Sequence, residues 1–187
     1  MDIKKVIMID PNITEEIIKY KLNAFGDRSS NFASTRDVFN ARLQGYASQT
    51  EKWLEAAVIG EIGNNTFDHN FQFIPEYPRG VYFDCSYQNE YIVIADYGMG
   101  ILASLSRVRP EIQSEVDSVE VALTQRISGR YPEQRGNGLK FVMDSVKSNK
   151  WSLFYQSGTG CCNADGDGYY FSISDISLPG TLAILHF

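Results

Sequence analysis

Residues 48–69 carry two patterns that a fold must reconcile. Leu54, Val58 and Ile62 recur every four residues, which predicts a helix with one face turned to a core. Glu61, Asn65, Asp68 and His69 follow at steps of four, three and one, and residues three and four apart share a helix face. The segment is therefore an apolar helix with a polar stripe, and the stripe needs a reason. Carboxylate, carboxamide and imidazole groups set this way could hold a magnesium ion and activate a hydroxyl. A solvated helix face would account for the stripe equally well.

The chain has 187 residues, enough for one domain with a sizeable core. Its apolar runs are far too short to span a bilayer. Residues 1–10 hold only a short apolar run with no small-residue cleavage site after it, so no signal peptide is expected. Cys85, Cys161 and Cys162 are an odd set without metal-ligand spacing, which predicts reduced thiols and a cytoplasmic location. A net charge of −6 argues against nucleic acid as a partner, because phosphate binding needs a basic surface.

Along the chain, residues 5–9 read as a strand and 10–25 as a helix opened by Pro11 and closed by Gly26. Helices are predicted over 34–44 and 48–69. Strands over 80–87 and 91–96, tightly linked, predict an antiparallel hairpin. Residues 101–130 read as irregular helix, and a further helix begins within 136–138 and runs to about 148. Strands follow at 151–156, 168–174 and 181–186. The fold class expected is α/β (α+β): a two-layer sandwich of helices on a mixed, mostly antiparallel sheet. Residues 1–48 form a mainly helical segment packed on or extending the domain of residues 49–187. Trp53, Trp151 and Tyr155 are expected in the core.

Three segments bear chemistry. On the polar stripe, a carboxamide at Asn65 with phosphate oxygens can suffice for magnesium, which keeps several waters. Glu61, one turn earlier, can accept a proton from an attacking hydroxyl. In the second segment a buried strand delivers Asp96, with Gly98, Gly100 and Ile101 after it. Glycines there let the backbone turn and approach a ligand closely, and the carboxylate can accept a hydrogen bond from an exocyclic amine. A strand-ending turn is the plain alternative. In the third, Gly136, Asn137, Gly138 and Leu139 open a helix whose free N–H groups could meet phosphate, or are simply a helix entry. Residues 163–168 fit the first half of a calcium loop, but Ser174 stands where the closing Glu belongs, so a polar hairpin turn is expected.

In this order the three segments resemble the GHKL family, which joins gyrase B, ninety-kilodalton heat-shock chaperones, sensor histidine kinases and MutL. Residues 61–68 look like its N box, Glu-x-x-x-Asn-x-x-Asp. Residues 96–101 look like its first glycine box, Asp-x-Gly-x-Gly-Ile, and 136–139 like its second, Gly-x-Gly-Leu. Pro179, Gly180 and Thr181 resemble the start of its closing strand. The resemblance covers about residues 48–187 and implies a Bergerat-type ATP-binding fold. It implies Glu61 as general base, Asn65 as magnesium ligand and Asp96 as reader of the adenine amine, supported by Thr181. Asp68, Gly98, Gly100, Ile101, Gly136, Asn137, Gly138 and Leu139 complete the nucleotide site. Residues 102–135 would be a mobile lid, whose Arg126, Arg130 and Arg135 could meet the phosphates.

The implied ligands are ATP or ADP and Mg2+. With only two histidines and no dimerising hairpin around either, a complete sensor kinase is not expected, and His69 reads as a structural neighbour of the stripe. The stripe is similar to that of bacterial anti-sigma serine kinases. Thr66 departs from the small residue common after the metal-binding Asn. The function expected is ATP hydrolysis, or transfer of the γ-phosphate to a Ser/Thr of a regulatory protein partner. The alternatives are a nucleotide-gated binding module without turnover and a domain that only echoes the motifs. No membrane association is expected, and a homodimer is compatible with the chain.

Overall fold

The computed structural model describes residues 31–69, 80–84, 91–125 and 138–187. Five helices and five strands lie among them. The order is β1 (Phe32–Ala33), α1 (Arg36–Thr50), α2 (Trp53–His69), β2 (Val81–Asp84), β3 (Tyr91–Asp96), α3 (Gly100–Leu105), α4 (Glu115–Thr124), α5 (Gly138–Asn149), β4 (Ser152–Ala164) and β5 (Tyr169–His186). The strands form one sheet in the order β1-β2-β3-β5-β4. Every pairing among the described residues is antiparallel, and the strand expected at residues 5–9 lies outside them. Among the described residues no helix is long and apolar enough to cross a membrane.

Strand alternation sorts the sheet residues by face. Phe83, Ile92, Ile94, Leu153, Tyr155, Ala183 and Leu185 join one core with Phe39, Val58, Ile59, Ile62, Val119, Leu123, Val142 and Val146 of the helices. The intervening residues Val93, Ala95, Phe154, Leu182 and Ile184 form a second buried cluster with Cys161 and Leu178. The described helices thus lie against one face of the sheet, as a layered α/β domain requires.

Several boundaries differ from the sequence reading. Thr35 caps α1, its side chain accepting from the Val38 N–H, and the helix runs through Gly45 to Thr50. The break falls instead at Glu51, whose φ of 59° is left-handed and ends the helix. Position 48 therefore lies inside α1. Residues 31–48 extend the sheet by the Phe32–Tyr82 and Ala33–Val81 pairs, and they bury Phe39, Tyr46 and Ala47. Immediately after the break, Trp53 is 62% exposed and Leu54 41%, so neither is a core residue. The apolar face of α2 begins at Ala56 and Val58. Trp151 and Tyr155 are buried as expected.

The three C-terminal strands of the sequence reading are two. Residues 175–180, left between the strands expected at 168–174 and 181–186, sit within β5, Pro179 and Gly180 among them. The register passes from Ser157–Thr181 to Gly158–Leu178, leaving the two residues unpaired in a bulge. Residues 165–168 form the hairpin turn between β4 and β5: the Asp165 carboxylate accepts from the N–H groups of Asp167 (2.8 Å) and Gly168 (3.0 Å).

The described part of the segment expected as a lid, residues 102–125, carries the end of α3 and the helix α4. Ser114 caps α4, which buries Val119 and Leu123 completely. The Glu115 carboxylate accepts from both the N–H and the hydroxyl of Thr159 on β4, each at 2.6 Å. An apolar face and two charge-assisted bonds hold residues 115–124 on the sheet. Residues 1–30, with the strand and helix expected there, and residues 126–137 lie outside the described residues.

Candidate functional site

The most buried polar group at the sheet's helix-covered face is Asp96, the last residue of β3. Its neighbours follow from register. Thr181 lies opposite it on β5, and Ser157 lies opposite Thr181 on β4. Directly opposed residues in antiparallel strands point to the same face, so the three make a polar row across the sheet. The Thr181 hydroxyl donates to Asp96 Oδ2. Thr66, from α2, donates to the same oxygen at 3.0 Å, and the Gly98 N–H donates to Oδ1 at 2.7 Å. A fully buried carboxylate is tolerated only with such partners.

Ser157 ties the row to the turn beyond Asp96. Its hydroxyl donates to the Gly180 carbonyl (3.0 Å) and accepts from the Ile101 N–H (2.9 Å) at the start of α3. Gly100 and Gly180 both have left-handed backbone, φ 77° and 68°. A side chain at Gly180 would also overlap the Asp96 carbonyl. Glycine is required there for both reasons. Tyr155, on the same face of β4, has its phenol pushed up from the ordinary range by burial and by the Asp96 carboxylate, with hydrogen bonding to Thr181 opposing.

The polar stripe of α2 runs along the exposed flank of this knot. Glu61 is exposed and Asn65 half-buried. The Glu61 carboxylate packs over Gly138, where a Cβ would overlap it. It therefore stands at the N-terminus of α5, where free N–H groups favour negative charge. Leu139, half-buried, packs at the edge of the core. Asp68 makes an ion pair with Arg36 of α1, whose guanidinium also lies 5.8 Å from the Phe67 ring centre. The side chain of His69 and the residues Gly136, Asn137, Arg126, Arg130 and Arg135 lie outside the described residues.

The fold thus brings together the four segments singled out in sequence. Residues 61–68 meet residues 96–101 through Thr66 and Asp96. They meet residues 136–139 through Glu61 and Gly138, and Thr181 joins at Asp96. Thr66, Ser157 and Tyr155 are members that the sequence reading did not assign. A signal existed for Thr66: it follows Ile59 and Ile62 by seven and four, and so occupies a core-facing position of α2. Ser157 continues the inward series Leu153, Tyr155.

Among the described residues no group of three or more His, Cys, Asp or Glu side chains is placed to hold a metal ion. The oxygen donors on this stretch of α2 are Glu61, Asn64, Asn65 and Asp68, the last ion-paired with Arg36. Asn64 Oδ1 is buried and has no hydrogen-bond partner among the described residues. One or two hard oxygen ligands suit magnesium when phosphate oxygens and water supply the rest. The donor set fits that ion only together with a phosphate ligand. No protein-family model matches the chain, and no curated protein matches it.

Proposed function

We propose that this chain is a magnesium-dependent ATP-binding domain of the GHKL type, with a Bergerat-type fold. It hydrolyses ATP or transfers the γ-phosphate to a Ser/Thr of a regulatory protein. The reading rests above all on one observation. Three segments picked out by residue type, and a fourth, at Thr181, by the family resemblance, meet around Asp96 and Gly138. Chance motif matches have no reason to converge in space.

In this reading the base lies against Asp96, whose carboxylate accepts a hydrogen bond from the adenine amine. Asp96 is closed off from solvent, so a base meets it only after a local opening of its surroundings. The triphosphate runs toward the N-terminus of α5, where backbone N–H groups receive anionic oxygens. Asn65 holds the magnesium ion, which when bound neutralises phosphate charge. Glu61 orients a water or a protein hydroxyl in line with the γ-phosphorus. As the new O–P bond forms, Glu61 takes the proton, the bond to the bridging oxygen breaks, and ADP leaves. The exposure of Glu61 leaves room for a hydroxyl carried by a protein partner.

The test is ATP binding and phosphate release by the purified chain with magnesium. Binding should be lost in Asp96→Asn, whose amide presents a donor to the adenine amine. Undiminished binding in that variant, or none in the wild type, would overturn the reading. In Glu61→Ala, binding should persist while turnover falls. Unchanged turnover would remove Glu61 as the base, and wild-type binding without turnover would leave a nucleotide-gated binding module.

A further inference from the structure

The hairpin of β4 and β5 reaches beyond the rest of the sheet. β3 pairs with β5 only from Thr181 to His186, and residues 169–173 pair with β4, from Ala164–Tyr169 to Gly160–Ile173. Among the described residues no strand lies along their other edge. Backbone groups on such an edge are set to receive a further strand. Lysine and proline commonly blunt an edge of this kind, and the run Tyr-Tyr-Phe-Ser-Ile over 169–173 holds neither.

Alternation puts Tyr169, Phe171 and Ile173 on one face. Tyr169 is 55% exposed and Ile173 72%, and the Tyr169 and Phe171 rings meet edge to face with centres 5.5 Å apart. An apolar stripe thus runs along the strand beside the edge, and negative charge flanks it. Asp167, in the turn before it, and Asp175, just after it, are both exposed. Residues 151–187 contain no Lys or Arg. An antiparallel second copy centred on Phe171 would set Asp167 against Asp175 at both ends, and like charges directly opposed are destabilising. A strand with basic ends meets the same positions favourably.

We propose that residues 169–173 are a docking edge for an extended segment of a protein partner, with apolar side chains at alternate positions and Lys or Arg at both ends. The segment adds a strand to β5. Its backbone pairs with the edge, its apolar side chains cover Tyr169 and Ile173, and its cations lie beside Asp167 and Asp175. The inference does not depend on nucleotide binding.

The experiment titrates a capped, fluorescently labelled peptide into the full chain and reads anisotropy. Its three valines alternate with two threonines between paired lysines. It should bind at least ~10-fold more tightly than a counterpart with glutamates in place of the lysines. N-methylation of the peptide amides that face β5 should weaken binding by about tenfold or more. Ile173→Lys, a change at an exposed position, removes apolar cover and repels the cations, and should weaken it by about tenfold or more. Asp167→Asn with Asp175→Asn should weaken it by about threefold or more at low salt, and the difference should vanish at high salt. Failure of the lysine peptide to bind overturns the proposal. Equal binding of the N-methylated peptide overturns it too, because charge alone then holds the lysines. Unchanged binding to Ile173→Lys puts the peptide on another surface and has the same result. If the wild type self-associates and Ile173→Lys is monomeric, the edge takes a second copy and the proposal fails.

Discussion

The two ends of the candidate site differ in what holds them. At the Asp96 end, a fully buried carboxylate takes bonds from Thr66, Thr181 and the Gly98 amide, and Ser157 joins the adjoining turns. At the Glu61 end, an exposed carboxylate rests at the start of a helix, and Asn65 is half-buried. The first end is part of the folding core. The second is carried by the fold without supporting it. Polar groups in a low-dielectric interior are costly to leave unpaired, whereas water replaces lost partners at a surface. The same substitution chemistry should therefore damage stability at one end and only function at the other.

Asp96→Ala tests this contrast most severely. It strands three donors in the core and should lower unfolding free energy by about 3 kcal/mol or more, read from denaturant midpoints. Gly180→Ala comes next: a left-handed backbone and overlap with the Asp96 carbonyl should cost about 2–3 kcal/mol by the same measurement. Ser157→Ala removes one donor and one acceptor between buried turns and should cost about 1–2 kcal/mol. At the other end, Glu61→Gln should change stability by no more than about 0.5 kcal/mol. Its single-turnover rate with ATP should nevertheless fall about 100-fold or more. If Glu61→Gln destabilises the chain as much as Ser157→Ala does, the contrast is wrong.

The core also sets an alkaline limit. Burial, with Cys161 beside it, pushes the Cys162 thiol up from 9.0 to about 12. The folded state therefore holds this proton more tightly than the unfolded chain. The resulting stabilisation is complete below pH 9 and is lost as pH rises from there through about 12. Cys162→Ala should flatten the fall of stability over that window, as measured by denaturant titration at stepped pH.

Much of the site was legible because its chemistry lies in short, local patterns. The steps between Glu61, Asn65 and Asp68 fix a helix face. Asp96 with Gly98 and Gly100 marks a strand end, and Gly138 marks a helix start. Boundaries were less legible. Gly45 lies inside α1 because one glycine costs a helix only about 1 kcal/mol, which packing of Tyr46 and Ala47 overrides. Pro179 and Gly180 lie inside β5 because a bulge accepts both. Trp53 is exposed although its residue type favours burial, since it sits in the first turn after a break rather than on the apolar face. The Glu115–Thr159 bonds that dock residues 115–124 on β4 span 44 positions and leave no local trace in the sequence.

The sequence alone determined which residues share a helix face or a strand face, because those periods are properties of the backbone. It thereby determined the helix-on-sheet character and named Asp96, Thr181, Glu61 and Asn65 at the two ends of the site, but not Thr66, Ser157 or Tyr155. Only the tertiary structure decided that Asp96, Thr181 and Ser157 stand in one row, since strand register is a relation between distant segments. It also decided that Thr66 closes that row from above, and that Glu61 faces Gly138. Those contacts arise when α2 lays its apolar face on the sheet. The burial of Ile59 and Ile62 fixes where every other side chain of that helix must fall.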